Sequence, residues 1–187
     1  MKKIILTSAI IFGAAVATFA QTSVPVTEIQ KRTDFTTLNI NLYPIQTLEV
    51  NAAQKNVNLD YKTKNDYANG VSSDQKNHLS IYSTGGFNVK VRSVSDKLAG
   101  VKDNIDAIDV KVTPKDGTNN PLTGGTLTAK QLTTNPEIII TNSAGGVDKN
   151  FDINYEAKGN DKYVNKYYNS ESPTTYSTTV IYSIEAI

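Results

Sequence analysis

The chain has 187 residues and a mass of 20.3 kDa, which is the size of one ordinary domain. It contains no Cys, no Trp and a single His, and its formal net charge is +1. The absence of Cys excludes disulfides, thiolate chemistry and Cys-ligated metal centres, and one His excludes any pair of catalytic histidines. A net charge this close to zero gives no electrostatic attraction to nucleic acid, so we expect no nucleic-acid partner.

The N-terminus has the pattern of a secretory signal peptide over residues 1–20. Lys2 and Lys3 form a basic start, an apolar run extends from Ile4 to Phe19, and Ala20 closes a small-residue cleavage site. We therefore expect an exported protein, either periplasmic or extracellular at the cell surface, with no transmembrane span after cleavage. Removal of the signal peptide would leave 17 basic and 18 acidic side chains.

The remaining chain divides by composition into two parts. Residues 21–35 carry few large apolar side chains and predict an N-terminal extension or an edge strand. Residues 36–187 carry repeated strand patterns and predict a β-sandwich domain.

Alternation of apolar and polar residues with a period of two predicts β-strands along most of the chain. The runs are rich in β-branched and aromatic residues, as in Phe87–Val91, Ile108–Val112 and Tyr176–Ile184. We expect an all-β fold, an antiparallel two-sheet Ig-like sandwich of about eight strands. The predicted core residues share the apolar faces of these runs and are Leu38, Ile40, Val57, Leu59, Phe87, Val89, Val110, Phe151, Ile153, Val180 and Tyr182.

Glycine-containing pairs separate the runs and predict tight turns with positive φ angles. The pairs are Asn69-Gly70, Gly85-Gly86, Asp116-Gly117, Gly124-Gly125 and Gly145-Gly146. Residues 95–105 show weak helical spacing, and we interpret them as a loop with one helical turn. Residues 116–135 predict a long loop or a distorted edge hairpin.

No arrangement of residues predicts catalysis, and we expect neither an enzyme nor a cofactor. His78 precedes a predicted strand. No Gly-x-Ser-x-Gly motif is present to supply a nucleophile for a catalytic His. We therefore interpret His78 as an exposed residue at the start of that strand. Asp103, Asp106 and Asp109 do not have the spacing of a calcium loop. We predict no metal site, and calcium binding stays an open alternative.

Tyrosines near the C-terminus suggest one candidate binding surface. Tyr163, Tyr167 and Tyr168 alternate with Asn and Lys, and such a surface can stack on sugar rings and bond their hydroxyl groups. The competing interpretation is that Tyr163 and Tyr167 close the open end of the sandwich.

Three segments give the chain a resemblance to known proteins. They are Phe151-Asp-Ile-Asn-Tyr155, Thr175–Ile184 and Ser83-Thr-Gly-Gly-Phe87-Asn-Val, which are a strand pair and a strand connection through a Gly turn. In outline they resemble small exported Ig-like sandwich proteins of bacterial surfaces, such as WxL-type surface domains and fimbrial subunits. The chain has no Trp and so lacks the Trp-x-Leu signature. The resemblance implies a sandwich fold and a structural or adhesive role.

Two functions follow as hypotheses. The first is a non-catalytic structural or adhesive protein of the bacterial envelope or surface, whose partners are other surface proteins or further copies that pair through edge strands. In that case Val24, Val26 and Ile29 of the extension could fill sites along a neighbouring sheet. The alternative is a module that binds glycan or peptidoglycan through Tyr163, Tyr167 and Tyr168.

Overall fold

The structure is a computed structural model that describes residues 33–169 and 172–187. The predicted signal peptide and most of the predicted extension therefore lie outside the described residues. By their contacts, residues 1–40 and 41–187 form separate units, and every described strand belongs to the second. Within the described residues, no helix has the length and apolar character needed to cross a membrane.

The fold is all-β, with eleven antiparallel strands in the described residues and little helix. The strands are β1 (Gln46–Val50), β2 (Val71–Ser83), β3 (Phe87–Ser93), β4 (Lys97–Ala99), β5 (Asn104–Asp106), β6 (Val110–Asp116), β7 (Thr126–Leu127), β8 (Lys130–Gln131), β9 (Glu137–Asn142), β10 (Gly146–Ala157) and β11 (Val180–Ala186). One short α-helix, α1 (Lys64–Asn69), precedes β2, and 3-10 turns occupy Ala52–Gln54 and Ala107–Asp109.

Two sheets share one hydrophobic core. The first sheet has the strand order β1-β2-β10-β6-β8, and the second has the order β11-β3-β9-β7. Strands β4 and β5 form a separate hairpin. Buried side chains from both sheets belong to a single cluster, and its large, fully buried members include Leu79, Ile81, Phe87, Ile139, Ile140, Phe151 and Ile153. The apolar faces predicted by alternation in β3, β6 and β10 are therefore the faces that pack against one another.

The chain passes between the sheets at two corners that lie side by side. The first corner joins β2 to β3 through Gly85 and Gly86, and the second joins β9 to β10 through Gly145. Because β2 pairs with β10 and β3 pairs with β9, the two corners are brought into contact. A Cβ atom at Gly145 would overlap the carbonyl oxygen of Ser83, and one at Gly86 would lie 2.9 Å from that of Ser143.

Most glycines of the predicted turns are not there to provide a positive φ angle. Of the five predicted turns with positive φ, only those at Gly70 (86°) and Gly124 (83°) contain a glycine in that region. Gly86, Gly117 and Gly145 instead allow close approach of backbone to backbone, where any side chain would collide. The prediction of positive φ at all five turns was wrong for this reason.

The N-terminal boundary of the core also differs from the prediction. Leu38 and Ile40 were predicted to be core residues, but they are 86% and 80% exposed and belong to no strand. Val57 and Leu59 are half-buried against the core in an extended segment that pairs with no strand. Alternation makes one side of a segment apolar, but it does not supply a partner to cover that side.

The interpretation of residues 95–105 as a loop with a helical turn was wrong. These residues form the β4–β5 hairpin, in which Leu98 pairs with Ile105. The two side chains pack against the edge of the core, and this contact produces the spacing that looked helical. The irregular segment 116–135 crosses between the sheets, placing β7 at the edge of one and β8 at the edge of the other.

Candidate functional site

A cleft of about 480 Å³ opens at one end of the second unit, beside α1. Five tyrosines from three separate parts of the chain line it: Tyr61, Tyr67, Tyr163, Tyr167 and Tyr176. Polar side chains share the lining, among them Asn58, Thr174 and Thr175. The volume lies within the range of about 300–1,000 Å³ that is typical of small-molecule sites.

The wall formed by Tyr61 and Tyr67 depends on a well-capped helix. The Thr63 hydroxyl accepts a bond from the Asp66 backbone N–H, and the Asp66 carboxylate accepts bonds from the N–H groups of Lys62 and Thr63 at 2.8 and 2.7 Å. These bonds to the charged form hold the pKa of Asp66 below its usual value. The cap fixes the start of α1 and so places Tyr67 5.3 Å from Tyr61, measured between ring centroids.

Tyr163 forms the floor of the cleft. The turn that carries it docks on the end of α1, since the N–H groups of Asn160 and Asp161 donate to the carbonyls of Ala68 and Tyr67 at 2.7 and 2.9 Å. Its ring meets Tyr61 edge-on at 5.2 Å. Tyr163 is 7% exposed, and its hydroxyl has no hydrogen-bond partner among the described residues.

The opposite wall is held by Asp103. Its carboxylate accepts hydrogen bonds from the Tyr176 hydroxyl and, at 2.5 Å, from Lys166 Nζ. The bond from Lys166, followed by that from Tyr176, lowers the pKa of Asp103. Because the Tyr176 hydroxyl is held in this way, the position of its ring in the wall is fixed.

A second, more open depression of about 530 Å³ adjoins the cleft. Tyr67, Tyr163 and Tyr167 line both, so these three side chains form a shared wall between the two spaces. We call the two depressions and this wall the tyrosine surface. Tyr167 is its most accessible aromatic residue, at 53% exposed.

The three tyrosines selected from the sequence have different surroundings. Tyr163 is buried in the floor of the cleft, and Tyr167 forms part of the shared wall. Tyr168 points to the β4–β5 hairpin, where its hydroxyl accepts a bond from the Lys102 N–H at 2.9 Å and its ring lies under the Lys102 ammonium. It is not among the residues that line the cleft. Sequence reasoning did not include Tyr61 and Tyr67, which lie about a hundred positions upstream and meet the others only in the folded chain.

The three aspartates considered for calcium binding each pair with different lysines in the structure. Asp103 pairs with Lys166, Asp106 pairs with Lys97, and Asp109 is buried with the ammonium groups of Lys158 and Lys162 at 2.9 and 2.6 Å. Lysines neutralise each carboxylate separately. No group of three or more acidic or His side chains in the described residues is placed to hold a metal ion.

His78 is not exposed, contrary to the prediction. It lies inside β2, is 2% exposed and packs edge-on against Tyr155 and Tyr182. The cause is an irregularity in the β2–β10 register next to Asn77, a residue with a φ of 48°. This bulge breaks the alternation of β2, and both His78 and Leu79 are consequently buried.

A further surface feature precedes β1. Residues 35–45 contain six large apolar side chains that are more than half exposed: Phe35, Leu38, Ile40, Leu42, Tyr43 and Ile45. Leu38, Ile40 and Leu42 alternate with Asn39 and Asn41, as the residues of a half-buried strand do. We call residues 38–42 the apolar segment.

No protein family matches the chain, and no curated protein matches it in sequence.

Proposed function

We propose that this is a non-catalytic, exported structural protein of the bacterial surface that assembles by strand addition. The observation that carries the proposal is the apolar segment. Its three apolar side chains are 80–88% exposed. Full burial of each side chain contributes about 1.5–3 kcal/mol of stabilising free energy, so binding of a partner that covers the segment would be favourable. Export itself is an expectation from residues 1–20.

Two adjacent strands of the sandwich are suited to accept such a segment. Among the described strands, β1 pairs only with β2, and β11 pairs only with β3, so each has one free edge. The two edges approach each other on the same side of the fold. Core-facing side chains there stay half-buried, namely Leu48, Val50, Val180, Tyr182 and Ile184. An added strand would use the free backbone groups and cover these side chains at the same time.

The chain connection favours a second copy of the protein over the same molecule as the acceptor. The apolar segment runs into β1 with only residues 43–45 between them. Ile45 is already held, because its N–H donates to Thr84 Oγ1 at 2.9 Å and its carbonyl accepts from the Thr84 N–H at 3.0 Å. Folding back onto the free β1 edge would require a tight reversal within residues 43–45, where Pro44 has a fixed φ and no N–H to donate and Ile45 is already held by Thr84.

The test compares two substitutions that add the same charge to neighbouring positions. Ile40→Asp places a carboxylate on the apolar side of the segment, and Asn41→Asp places one on the polar side. We expect residues 21–187 to self-associate in sedimentation velocity, with association lost in Ile40→Asp and kept in Asn41→Asp. The proposal is overturned if the parent protein is monomeric at every concentration, or if the two variants associate equally.

A deletion provides the second measurement. We expect residues 44–187 to be monomeric. At a protein concentration low enough for the parent to be monomeric as well, both proteins should have the same urea midpoint, since the described side chains removed are exposed. A lower midpoint in the deleted protein would mean that the segment covers its own sandwich, and this result would overturn the proposal as well.

A further inference from the structure

We propose that the tyrosine surface binds an uncharged glycan chain of several pyranose rings. This goes beyond the assembly role, and it rests on residues that the assembly role does not use. Pyranose rings present C–H groups on their faces and hydroxyls around their edges. They therefore suit a site in which aromatic rings alternate with polar side chains.

The charges of the cleft favour a neutral ligand, and the adjoining depression carries one charge of each sign, on Lys64 and Asp161. Lys166 and Asp103 are paired at the wall, and Lys62 is paired with Asp60 at 2.8 Å on the rim. Each ammonium group that lines the cleft therefore has a carboxylate beside it. A phosphate or a carboxylate ligand that approached either ammonium group would also lie beside the paired carboxylate and be repelled by it, whereas a hydroxyl-rich ligand carries no charge to be repelled.

The shape of the site favours a chain over a single ring. The two depressions, of about 480 and 530 Å³, meet at the wall shared by Tyr67, Tyr163 and Tyr167. A ligand that filled both would have to pass over this wall, so successive rings of one chain would lie on either side of Tyr167. Asn58 and Thr175 are exposed within the cleft and supply an amide and a hydroxyl for the ring substituents.

The site is also rigid enough to bind without much reorganisation. Tyr61 donates its hydroxyl to the Lys158 carbonyl at 2.7 Å, and Tyr176 is fixed by Asp103. Burial of its side chain holds Tyr163 in place. Aromatic walls that are already ordered lose little conformational entropy when a ligand is bound.

The chain offers its own spectroscopic probe for a test. It contains ten Tyr and no Trp, so its intrinsic fluorescence comes from tyrosine alone. Two soluble probes, chitotetraose and maltotetraose, would be titrated into the protein, and insoluble peptidoglycan would be tested by co-sedimentation. Chitotetraose and peptidoglycan share N-acetylated rings, so binding to these two but not to maltotetraose would identify a cell-wall type of glycan. Binding to maltotetraose would identify a storage or capsular type.

Two variants report on the site, and a third is the control. Tyr167→Ala removes the exposed ring of the shared wall, and Asn58→Arg fills the cleft from an exposed position without touching the core. Tyr43→Ala removes an exposed tyrosine that does not line either depression. We expect at least a tenfold loss of affinity in the first two and no change in the third.

Either of two results overturns the inference. One is that none of the three glycans binds at ligand concentrations up to about 10 mM, a range that covers weak Kd values near 1 mM. The other is that binding survives unchanged in both Tyr167→Ala and Asn58→Arg. Neither result bears on self-association, which depends on the apolar segment, so failure of this inference is distinct from failure of the proposed function.

Discussion

Four side chains form a continuous chain of hydrogen bonds through the side of the core next to β1 and β11. The Gln54 amide is oriented by its donation to the Lys76 carbonyl, which turns its oxygen toward His78 Nδ1 at 2.9 Å. His78 must then carry its proton on Nδ1 and accept from the Tyr155 hydroxyl at Nε2. Tyr155 in turn accepts from Tyr182 at 2.6 Å. The chain is fully satisfied when the imidazole is neutral.

Stability should therefore fall when the solution becomes mildly acidic. Burial lowers the pKa of His78 below its ordinary value of 6.5. Below that pH, His78 is protonated in the unfolded chain but stays neutral in the folded chain. The free energy of unfolding therefore decreases by up to about 1.4 kcal/mol per pH unit, until the pH reaches the pKa of His78 in the folded state. Above the unfolded pKa this contribution is fully present.

The measurement is urea unfolding at about pH 7 and about pH 5.5, a range in which unperturbed carboxylates stay ionised. His78 is the only His in the chain, so His78→Leu should lower stability overall and remove the difference between the two pH values. An unchanged midpoint in the parent protein over this range would contradict the expectation.

Two buried tyrosines should respond in opposite ways to the loss of a hydroxyl. Tyr163 and Tyr155 are 7% and 6% exposed, but only Tyr155 has hydrogen-bond partners for its oxygen within the described residues. Removing an unsatisfied buried hydroxyl is nearly neutral or stabilising, whereas breaking a satisfied chain leaves other polar atoms unpaired. We expect Tyr163→Phe to be stabilising by up to about 1 kcal/mol, and Tyr155→Phe to be destabilising by about 1–3 kcal/mol. Equal effects in thermal unfolding would show that this assignment is wrong.

At the scale of the elements, the paired corners bring backbone against backbone. Ser83 Oγ donates to the Gly85 carbonyl, and Asn142 Nδ2 donates to the Ala144 carbonyl, both at 2.7 Å. Each corner thus ends its preceding strand with a side chain that bonds two residues ahead. The two similar corners pack directly against each other because Gly86 and Gly145, which face the other corner, have no side chain.

The corners supply a matched pair of glycine substitutions. Gly145→Ala places a methyl group against the Ser83 carbonyl, while Gly85→Ala meets nothing within 4 Å, and neither glycine has a positive φ. We expect Gly145→Ala to be destabilising by about 1–3 kcal/mol, because backbone must move. Gly85→Ala should stay within about 0.5 kcal/mol of the parent protein. Equal urea midpoints for the two variants would contradict the contact between the corners.

At the scale of the molecule, alternation in the sequence was enough to predict an all-β, antiparallel fold and much of its core. Phe87, Val89, Val110, Phe151 and Ile153 are buried as predicted. The alternation of the apolar segment is equally regular, yet no described strand covers it, since local pattern carries no information about the partner strand.

The candidate site was predictable only in part, for a related reason. Tyr163 and Tyr167 are close in sequence and could be selected together. Tyr61 and Tyr67 join them through the docking of the turn at Asn160 on α1, which is a contact between distant parts of the chain. The burial of His78 depends on the bulge at Asn77, and a single Asn in a polar strand gives no sign of it.

The position of β10 in the first sheet determines the order in which the fold can be completed. It is the strand that joins β1 and β2 to β6 and β8, and its paired residues in β2 lie about 60 to 90 positions earlier in the chain. A nascent chain that ends before Gly146 can hold only two unconnected fragments of that sheet. The first sheet can then be completed only after β10 has been synthesised, and such long-range pairing is typical of β proteins that fold in milliseconds to seconds. Until then the edge of β2 that pairs with β10 has no partner, so this edge is open to pairing with other strands while the chain is incomplete.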